Sequence, residues 1–522
     1  MGTGLAQPVA PVTQASDSAR MMRYPKLVAL VAGLASATGF APLDIWPVTL
    51  ASLALWMWLV AGAPNLRAAL ALGWMFGLGH FAVGMNWIAG AFRYQETMPV
   101  WLGAVAVGTL SAYLAIFPAV AGGLAWRWGR QHKVAYVPIF AAAWIVTEYL
   151  RATLFTGFAW NPLGVAMLPT PAVGLAKVLG TYGLSGCVIL VAGALVHARR
   201  LIAFPAALAS ILLLGWLSFS VAGDPGRTNL NVRVIQPNIG MNESHDVALA
   251  HSGLQKLARL SGPPIAEPRL LFWPEAAIDD TYEIAYDSRL RGDLASLLGP
   301  RDLLLTGGTR VEYTRRRRDT GIEEIGVSAT NSVFAIDPNG AVRARYDKAH
   351  LVPYGEYLPM RPFLSAIGLS RLVPGDIDFL PGPGPRSVTL PGFGRMGLQI
   401  CYEIIFSGAV VDAANRPGFI FNPSNDAWFG SWGPPEHLAQ AQLRAVEEGI
   451  PVIRSTPTGI SAVIDSNGKL LVALPLNKAG MIQTTLPAAA PPTVFARYGN
   501  ALPLGFALLL IGIAFALRSK PR

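Results

Sequence analysis

Long apolar runs broken by short polar segments fill the first 220 residues, and the pattern then changes. The runs cover 26–42, 45–62, 67–90, 99–126, 134–150, 173–197 and 201–221, and an isolated one covers 500–517. A helix needs about 20 mostly apolar residues to cross a bilayer, so the pattern predicts eight spans. The first has the shortest apolar core, "LVALVAGLASA". Its small residues Ala35-Ser36-Ala37 follow a basic stretch, as in a cleaved leader. Because the apolar character continues into "TGFAPLDIWP", a retained span is the expectation.

Between 222 and 499 the texture is that of a globular domain. The segments "NLNVRVIQPN", "RLLFWPE", "DLLLTGGT", "NSVFAID", "RMGLQICYE", "GFIFNPSND", "PVIRST" and "ISAVID" predict strands, and 245–260, 286–298 and 436–448 predict helices among them. Strands interleaved with helices predict a layered α/β domain.

Composition agrees with a membrane bundle carrying such a domain. Charged residues make up only 14% of the chain, with a mean hydropathy of +0.41, against roughly 25% charged in an ordinary soluble domain. The formal net charge is +10, and its placement decides its meaning. Arg20, Arg23, Lys26, Arg67, Arg127, Arg130, Lys133, Arg199, Arg200, Arg518, Lys520 and Arg522 fall on one side of the predicted spans. The short loops of the other side carry mainly Arg93 and Arg151. The positive-inside rule makes the first side cytoplasmic. The expected organisation is a cytoplasmic tail at 1–25, seven spans within 26–221, an external (periplasmic) domain at 222–499, a final span at 500–517 and a cytoplasmic tail at 518–522. Most of the basic excess is then topological, and no nucleic-acid partner is predicted. The exception, "TRRRRDT" at 314–320, reads as a solvated loop able to touch anionic headgroups.

Two cysteines cannot make a disulfide framework. Cys187 lies in an apolar run and reads as a packing residue, and Cys401 in "LQICYEIIF" reads as a free thiol. Glu275 in "LLFWPE", Lys348 in "YDKAHLVPYGEYLP" and Cys401 each close a predicted strand. Taken singly, a strand cysteine is most simply inert core, and a lone Glu or Lys a surface residue. Together they offer a base, a positive charge and a nucleophile, the set that thiol catalysis needs. Seven scattered histidines show no ligand spacing, and no HExxH, P-loop or dinucleotide fingerprint occurs. Neither a metal nor a cofactor is predicted. Within the apolar runs His80, Asn86, Glu148 and Arg151 are functional suspects, although Glu148 and Arg151, spaced i,i+3, also suit a simple pair.

With their neighbours, "WPE", "DKAHLVPYGEYLP" and "ICYE" match in order and approximate spacing the landmarks of the nitrilase, or carbon–nitrogen hydrolase, superfamily. The chain more closely resembles a membrane-bound branch of it, the apolipoprotein N-acyltransferases. "GFAPLDIWP" at 39–47, "EYLRATLFTGFAW" at 148–160 and "SNDAWFGSWGPPEHLAQAQLRAVEEGIPVIRSTPTG" at 424–459 carry that likeness over nearly the whole chain after residue 25. Two segments depart from the family pattern. Met241, Asn242 and Glu243 stand where a tryptophan or basic residue is common, and "TPTG" at 456–459 replaces "TNNG".

The resemblance implies an αββα sandwich outside the bilayer, joined to a helical bundle of about eight spans in a bacterial inner membrane. It implies a catalytic triad of Glu275 as proton acceptor, Lys348 as stabiliser of thiolate and oxyanion, and Cys401 as nucleophile. The acyl donor would be a membrane phospholipid, the intermediate a Cys401 thioester, and the acceptor the N-terminal amine of a diacylglyceryl apolipoprotein. Glu356 would orient the lysine, and Tyr402 and Glu403 would shape the pocket. Tyr354, Trp428, Phe429 and Trp432 would contact lipid, and the apolar loop 357–375 would be either a gate or a buried helix. A membrane-tethered amidase with water as acceptor is the alternative. It has no use for seven preceding spans, and the three motifs together argue against a non-enzymatic receptor or transporter.

Overall fold

Every apolar run predicted as a span forms helix. The computed structural model describes residues 23–94, 99–196, 202–241, 247–279, 282–318, 321–366 and 378–518. Arg20, Arg199, Arg200, Lys520, Arg522, Asn242, Glu243 and 367–375 lie outside them. The helices are α1 (Pro25–Ser36), α2 (Trp46–Ala61), α3 (Leu66–Gly84), α4 (Leu102–Leu114), α5 (Ile116–Gly129), α6 (Lys133–Thr153), α7 (Ala176–Val196) and α8 (Ala203–Ala222). Among the described residues six helical segments are long and apolar enough to cross a bilayer, α4 and α5 counting as one, and the last being the C-terminal helix. The first two runs give shorter helices of 12 and 16 residues. Pro42 lies between them, and proline cannot continue a helix interior. Pro47 instead starts α2, where its missing N–H costs nothing.

Small residues let the bundle close. A Cβ on Gly33 of α1 would strike the Phe76 carbonyl, and one on Gly79 of α3 would strike the Leu30 carbonyl, so α1 and α3 pack backbone to backbone. On α8, Leu213, Leu214 and Trp216 face outward, an apolar surface suited to lipid.

Among the described residues the α/β domain holds two six-stranded sheets. The first has the order β12-β1-β2-β3-β4-β5 and the second β11-β10-β9-β8-β7-β6. The strands are β1 (Arg227–Gln236), β2 (Arg269–Phe272), β3 (Leu303–Arg318), β4 (Gly321–Ile336), β5 (Val342–Asp347), β6 (Ser387–Leu390), β7 (Gly394–Leu398), β8 (Phe419–Pro423), β9 (Val452–Ser455), β10 (Ala462–Ile464), β11 (Leu470–Ala473) and β12 (Gly480–Pro487). Pairs β1–β2, β2–β3, β7–β8 and β8–β9 are parallel. Period-2 alternation sends Val232, Val234, Leu270 and Phe272 to meet Met396, Leu398, Phe419 and Phe421 between the sheets. Ile235, Leu271 and Trp273 on the opposite face pack against α9 (Val247–Ser261) and α10 (Ser288–Ala295).

The outer face of the second sheet meets α11 (Gly433–Glu448), which is buried almost all round between that sheet and the membrane helices. α7 breaks at Gly180, which frees the Thr181 N–H and hydroxyl to donate to Glu447 Oε1 at 2.5 and 2.6 Å. The last helix, α12 (Ala501–Arg518), packs on α6 and α7.

Two local expectations change. Arg315–Arg318 end β3 in a long hairpin with β4, with Arg316 opposite Glu323 in the register, so the run is strand and not loop. Strand β7 stops at Leu398, and Cys401 opens a 3-10 turn, Cys401–Ile405, instead of ending the strand.

Candidate active site

The site begins where β7 leaves the core. Cys401 adopts φ +52°, a left-handed conformation that costs an L-residue about 1–2 kcal/mol and persists only where the surroundings fix it. Glu403 supplies part of that fixation. Its Oε2 accepts from the Ile400 N–H at 2.7 Å, and its Oε1 from the N–H groups of Ala349 at 2.7 Å and His350 at 3.0 Å.

Glu275 follows β2 on the facing sheet. Its segment approaches β3 so closely that Gly307 donates its N–H to the Pro274 carbonyl at 3.2 Å. A Cβ on Gly307 would lie 2.8 Å from the Glu275 Cα, so the position requires glycine. Glu275 Oε1 accepts from Asn331 Nδ2 at 2.8 Å and Lys348 Nζ at 3.4 Å, and Oε2 from the Asn425 N–H at 2.7 Å. Lys348, directly after β5, is buried and donates also to Glu356 Oε1 at 3.0 Å. Glu356 in turn accepts from Asn331 Nδ2 at 2.9 Å and the Val352 N–H at 2.8 Å.

Electrostatics ties the thiol to both partners. Burial pushes the Cys401 thiol well above its ordinary range, the Glu275 carboxylate adds to that, and Lys348 opposes it. Burial works against the Lys348 cation, but Glu356 and then Glu275 outweigh it and raise its pKa above the usual lysine range. The resting site therefore holds a protonated thiol beside a fixed positive charge and a carboxylate gripped by two donors besides Lys348. An open cleft of about 590 Å³ adjoins Glu275 and is lined by Ile239, Leu254, Pro274, Asn425 and Pro457.

The supporting positions divide. Glu356 touches Lys348, and Glu403 braces the turn; burial lifts the Glu403 pKa to about 7 against the N–H donors of His350 and Ile400. Tyr402 points away, its hydroxyl donating to the Gly157 carbonyl at 3.2 Å in the loop after α6. His350 Nε2 donates to the Thr156 carbonyl of that loop at 2.9 Å. Phe429 packs on Trp87 and Trp160, Trp428 on Tyr94, and Trp432 Nε1 donates to Glu436 Oε1 at 3.1 Å. Phe429 and Trp428 thus join the domain to the bundle. Tyr354 is half exposed, and on the described part of the 357–375 loop Met360 and Phe363 are exposed, so that part is no buried helix.

In the bundle the pair of Glu148 and Arg151 is long, at 3.9 Å. Arg151 donates instead to the Trp160 carbonyl at 2.7 Å, and Glu148 accepts from the Leu163 N–H at 2.8 Å. His80 bonds Ser36 at 2.7 Å, and Asn86 bonds its own turn at Val83. Of the departures, Met241 sulfur lies 3.6 Å from Asn425 Nδ2, and the Pro457 carbonyl accepts from the Asn238 N–H at 2.7 Å. Both segments thus border the site.

Sequence reasoning missed Asn331, Asn425, Asp426, His437 and Arg454. Asn425 follows "GFIFNPS" just after a strand, as Glu275 does after "LLFWP", and that placement was an available signal; Asn331 heads "NSVFAID" but lies inside the long β4, opposite Thr309. His437, alone on a helix, carried none.

The sequence itself has known counterparts. Residues 32–194 match the family described as apolipoprotein N-acyltransferase N-terminal domain, and residues 231–490 match carbon-nitrogen hydrolase. The chain is 34% identical over 523 aligned positions to the apolipoprotein N-acyltransferase of Rhodopseudomonas palustris, covering 95% of each. It is 34% identical over 521 positions to that of Bradyrhizobium diazoefficiens, again covering 95% of each. Among solved structures, an amidase from Nesterenkonia sp. is similar at 17% identity and a TM-score of 0.31, covering 53% of this chain and 95% of that one.

Proposed function

The chain belongs to the apolipoprotein N-acyltransferase family, and on that premise we propose that it moves an acyl chain from a phospholipid, through a Cys401 thioester, to the N-terminal amine of a diacylglyceryl lipoprotein. The observation that best supports this is the meeting of three strand ends. Glu275 and Lys348 lie 3.4 Å apart, and both bear on the Cys401 thiol.

Glu275 takes the proton of Cys401 as the sulfur attacks the ester carbonyl of the phospholipid. Lys348 and the N–H following Cys401 stabilise the oxyanion. The acyl C–O bond breaks, and Glu275 returns the proton to the departing oxygen, which releases a lysophospholipid. The lipoprotein amine then attacks the thioester while Glu275 accepts its proton. The C–S bond breaks, an amide forms, and the proton passes back to the Cys401 thiolate. Glu356 keeps Lys348 charged and in place throughout.

In this reading residues 222–499 lie on the outer face of the cytoplasmic membrane, with 26–221 and 500–517 spanning it and both termini cytoplasmic. Both substrates carry acyl chains, so a site seated on the bundle meets them where they are anchored. The test is to incubate purified protein in vesicles with labelled phospholipid and a diacylated lipopeptide. Label on the lipopeptide amine supports transfer; label released as free fatty acid means that water is the acceptor and the protein a hydrolase.

A further inference from the structure

A buried network outside the Glu275–Lys348–Glu356 cluster ends on the backbone of Cys401. His437, on α11, places Nε2 3.1 Å from the Cys401 carbonyl oxygen. Its Nδ1 lies 3.1 Å from Arg454 Nη2 and 3.0 Å from Asp426 Oδ1. Arg454 donates to both Asp426 oxygens, at 2.8 and 2.7 Å, and to Ser424 Oγ at 2.9 Å. All three of these residues are fully buried.

A carbonyl can only accept, so Nε2 carries a hydrogen and donates it to Cys401. Nδ1 lies between the Asp426 carboxylate, which can only accept, and the Arg454 guanidinium, which can only donate, and the two hold the ring from that side. Burial, and then the Arg454 charge, lower the His437 pKa, while the bond to Asp426 opposes them. Nε2 points at the backbone and not at the sulfur, so the ring is no base for the thiol.

The consequence lies on the other edge of the same peptide. In a planar trans peptide the C=O and the next N–H point in opposite directions. The first N–H groups of a helical turn lack partners within the turn, and Tyr402 is second in the turn that Cys401 opens. Gripping the Cys401 carbonyl therefore aims the Tyr402 N–H away from His437. We propose that His437 is a positioning residue: through the Cys401 carbonyl it sets the Cys401–Tyr402 peptide so that the Tyr402 N–H is presented to the oxyanion formed on the acyl carbon. The assignment rests on Cys401 being the acylated nucleophile. Asp426 and Arg454 fix the ring, and Asp426 is itself confined by Gly459, where a Cβ would lie 2.7 Å from the Asp426 Cβ.

The experiment compares acylation with alkylation in the full-length protein. Iodoacetamide reacts with a thiolate by displacement at carbon and develops no carbonyl oxyanion, whereas acylation by phospholipid does. His437→Leu removes the N–H; His437→Gln keeps an amide N–H in reach. The expected result for His437→Leu is acylation slowed on the order of 10²-fold, as for loss of an oxyanion donor, with Cys401 alkylated at the wild-type rate. That rate also reports an intact site. His437→Gln recovers most of the acylation. Equal slowing of acylation and alkylation, unchanged acylation in His437→Leu, or His437→Gln as slow as His437→Leu overturns the proposal. Failure of the underlying reading has its own signature, acyl transfer by Cys401→Ala.

Discussion

The Glu403 carboxylate accepts the backbone N–H of Ala349 at 2.7 Å, so the residue two places after Cys401 is fastened to the residue directly after Lys348. Cys401 and Lys348 follow strands of different sheets, and this carboxylate bridges them, with further bonds from His350, Ile400 and the Tyr346 hydroxyl. Glu403→Gln turns an amide nitrogen toward backbone N–H groups, which can only donate. Leaving a buried donor unsatisfied costs about 1–3 kcal/mol, so the variant should melt earlier and acylate more slowly. Thermal unfolding together with single-turnover acylation checks this; a wild-type acylation rate would remove Glu403 from the site's framework.

Much of this arrangement was legible in the chain, and the reasons for the gaps are physical. The spans show because a bilayer imposes a length that hydropathy records, and α1 and α2 are the two short ones, with Pro42 in the stretch between them. Glu275 and Cys401 show because each follows an apolar strand, β2 and β7, by a few residues, whereas Lys348 follows the charged β5 and shows only by the motif around it. Strands β5, β6, β11 and β12 do not show: "VRARYD" and "SVTL" pair at or near sheet edges, where one face stays wet and the apolar signal is weak. The Asp426–Arg454–His437 cluster was invisible because residues from a turn, a strand and a helix meet only after folding. The arginine run misled because charge suggests a loop, while its backbone pairs with β4 as far as Arg318.

Gly307 tests how exactingly Glu275 is placed. In Gly307→Ala the new Cβ would sit 2.7 Å from the Pro274 oxygen and the Ala276 nitrogen, so the "WPE" segment must shift. A displacement near 1 Å can cost about 10²-fold in rate. Acylation should fall by that order while the membrane bundle stays folded. Retention of full acylation would show that the close contact is not needed.

The thiol's environment sets a pH signature. Because burial and the Glu275 charge both raise the Cys401 pKa, the thiolate fraction at neutral pH is smaller than for an ordinary cysteine. In a Cys187→Ala background the iodoacetamide rate should still be climbing at about pH 9, past the ordinary thiol pKa near 8.5. Glu275→Gln removes a negative charge beside the sulfur and should move that profile to lower pH, even as it slows acylation by removing the base. A plateau below pH 8 in the wild-type protein would contradict the described electrostatics.

The central claim is that Cys401 carries the acyl group between two substrates, and mass spectrometry of the intact protein tests it most directly. Cys187→Ala protein, incubated with phospholipid alone, should gain the mass of one acyl chain on Cys401, as an adduct that hydroxylamine removes. Adding a diacylated lipopeptide should discharge the adduct and leave the lipopeptide heavier by the same chain. Glu275→Gln should slow both steps, general-base loss costing roughly 10²–10⁴-fold. Acylation of the lipopeptide without any adduct on Cys401, or by a Cys401→Ala variant, would contradict the account.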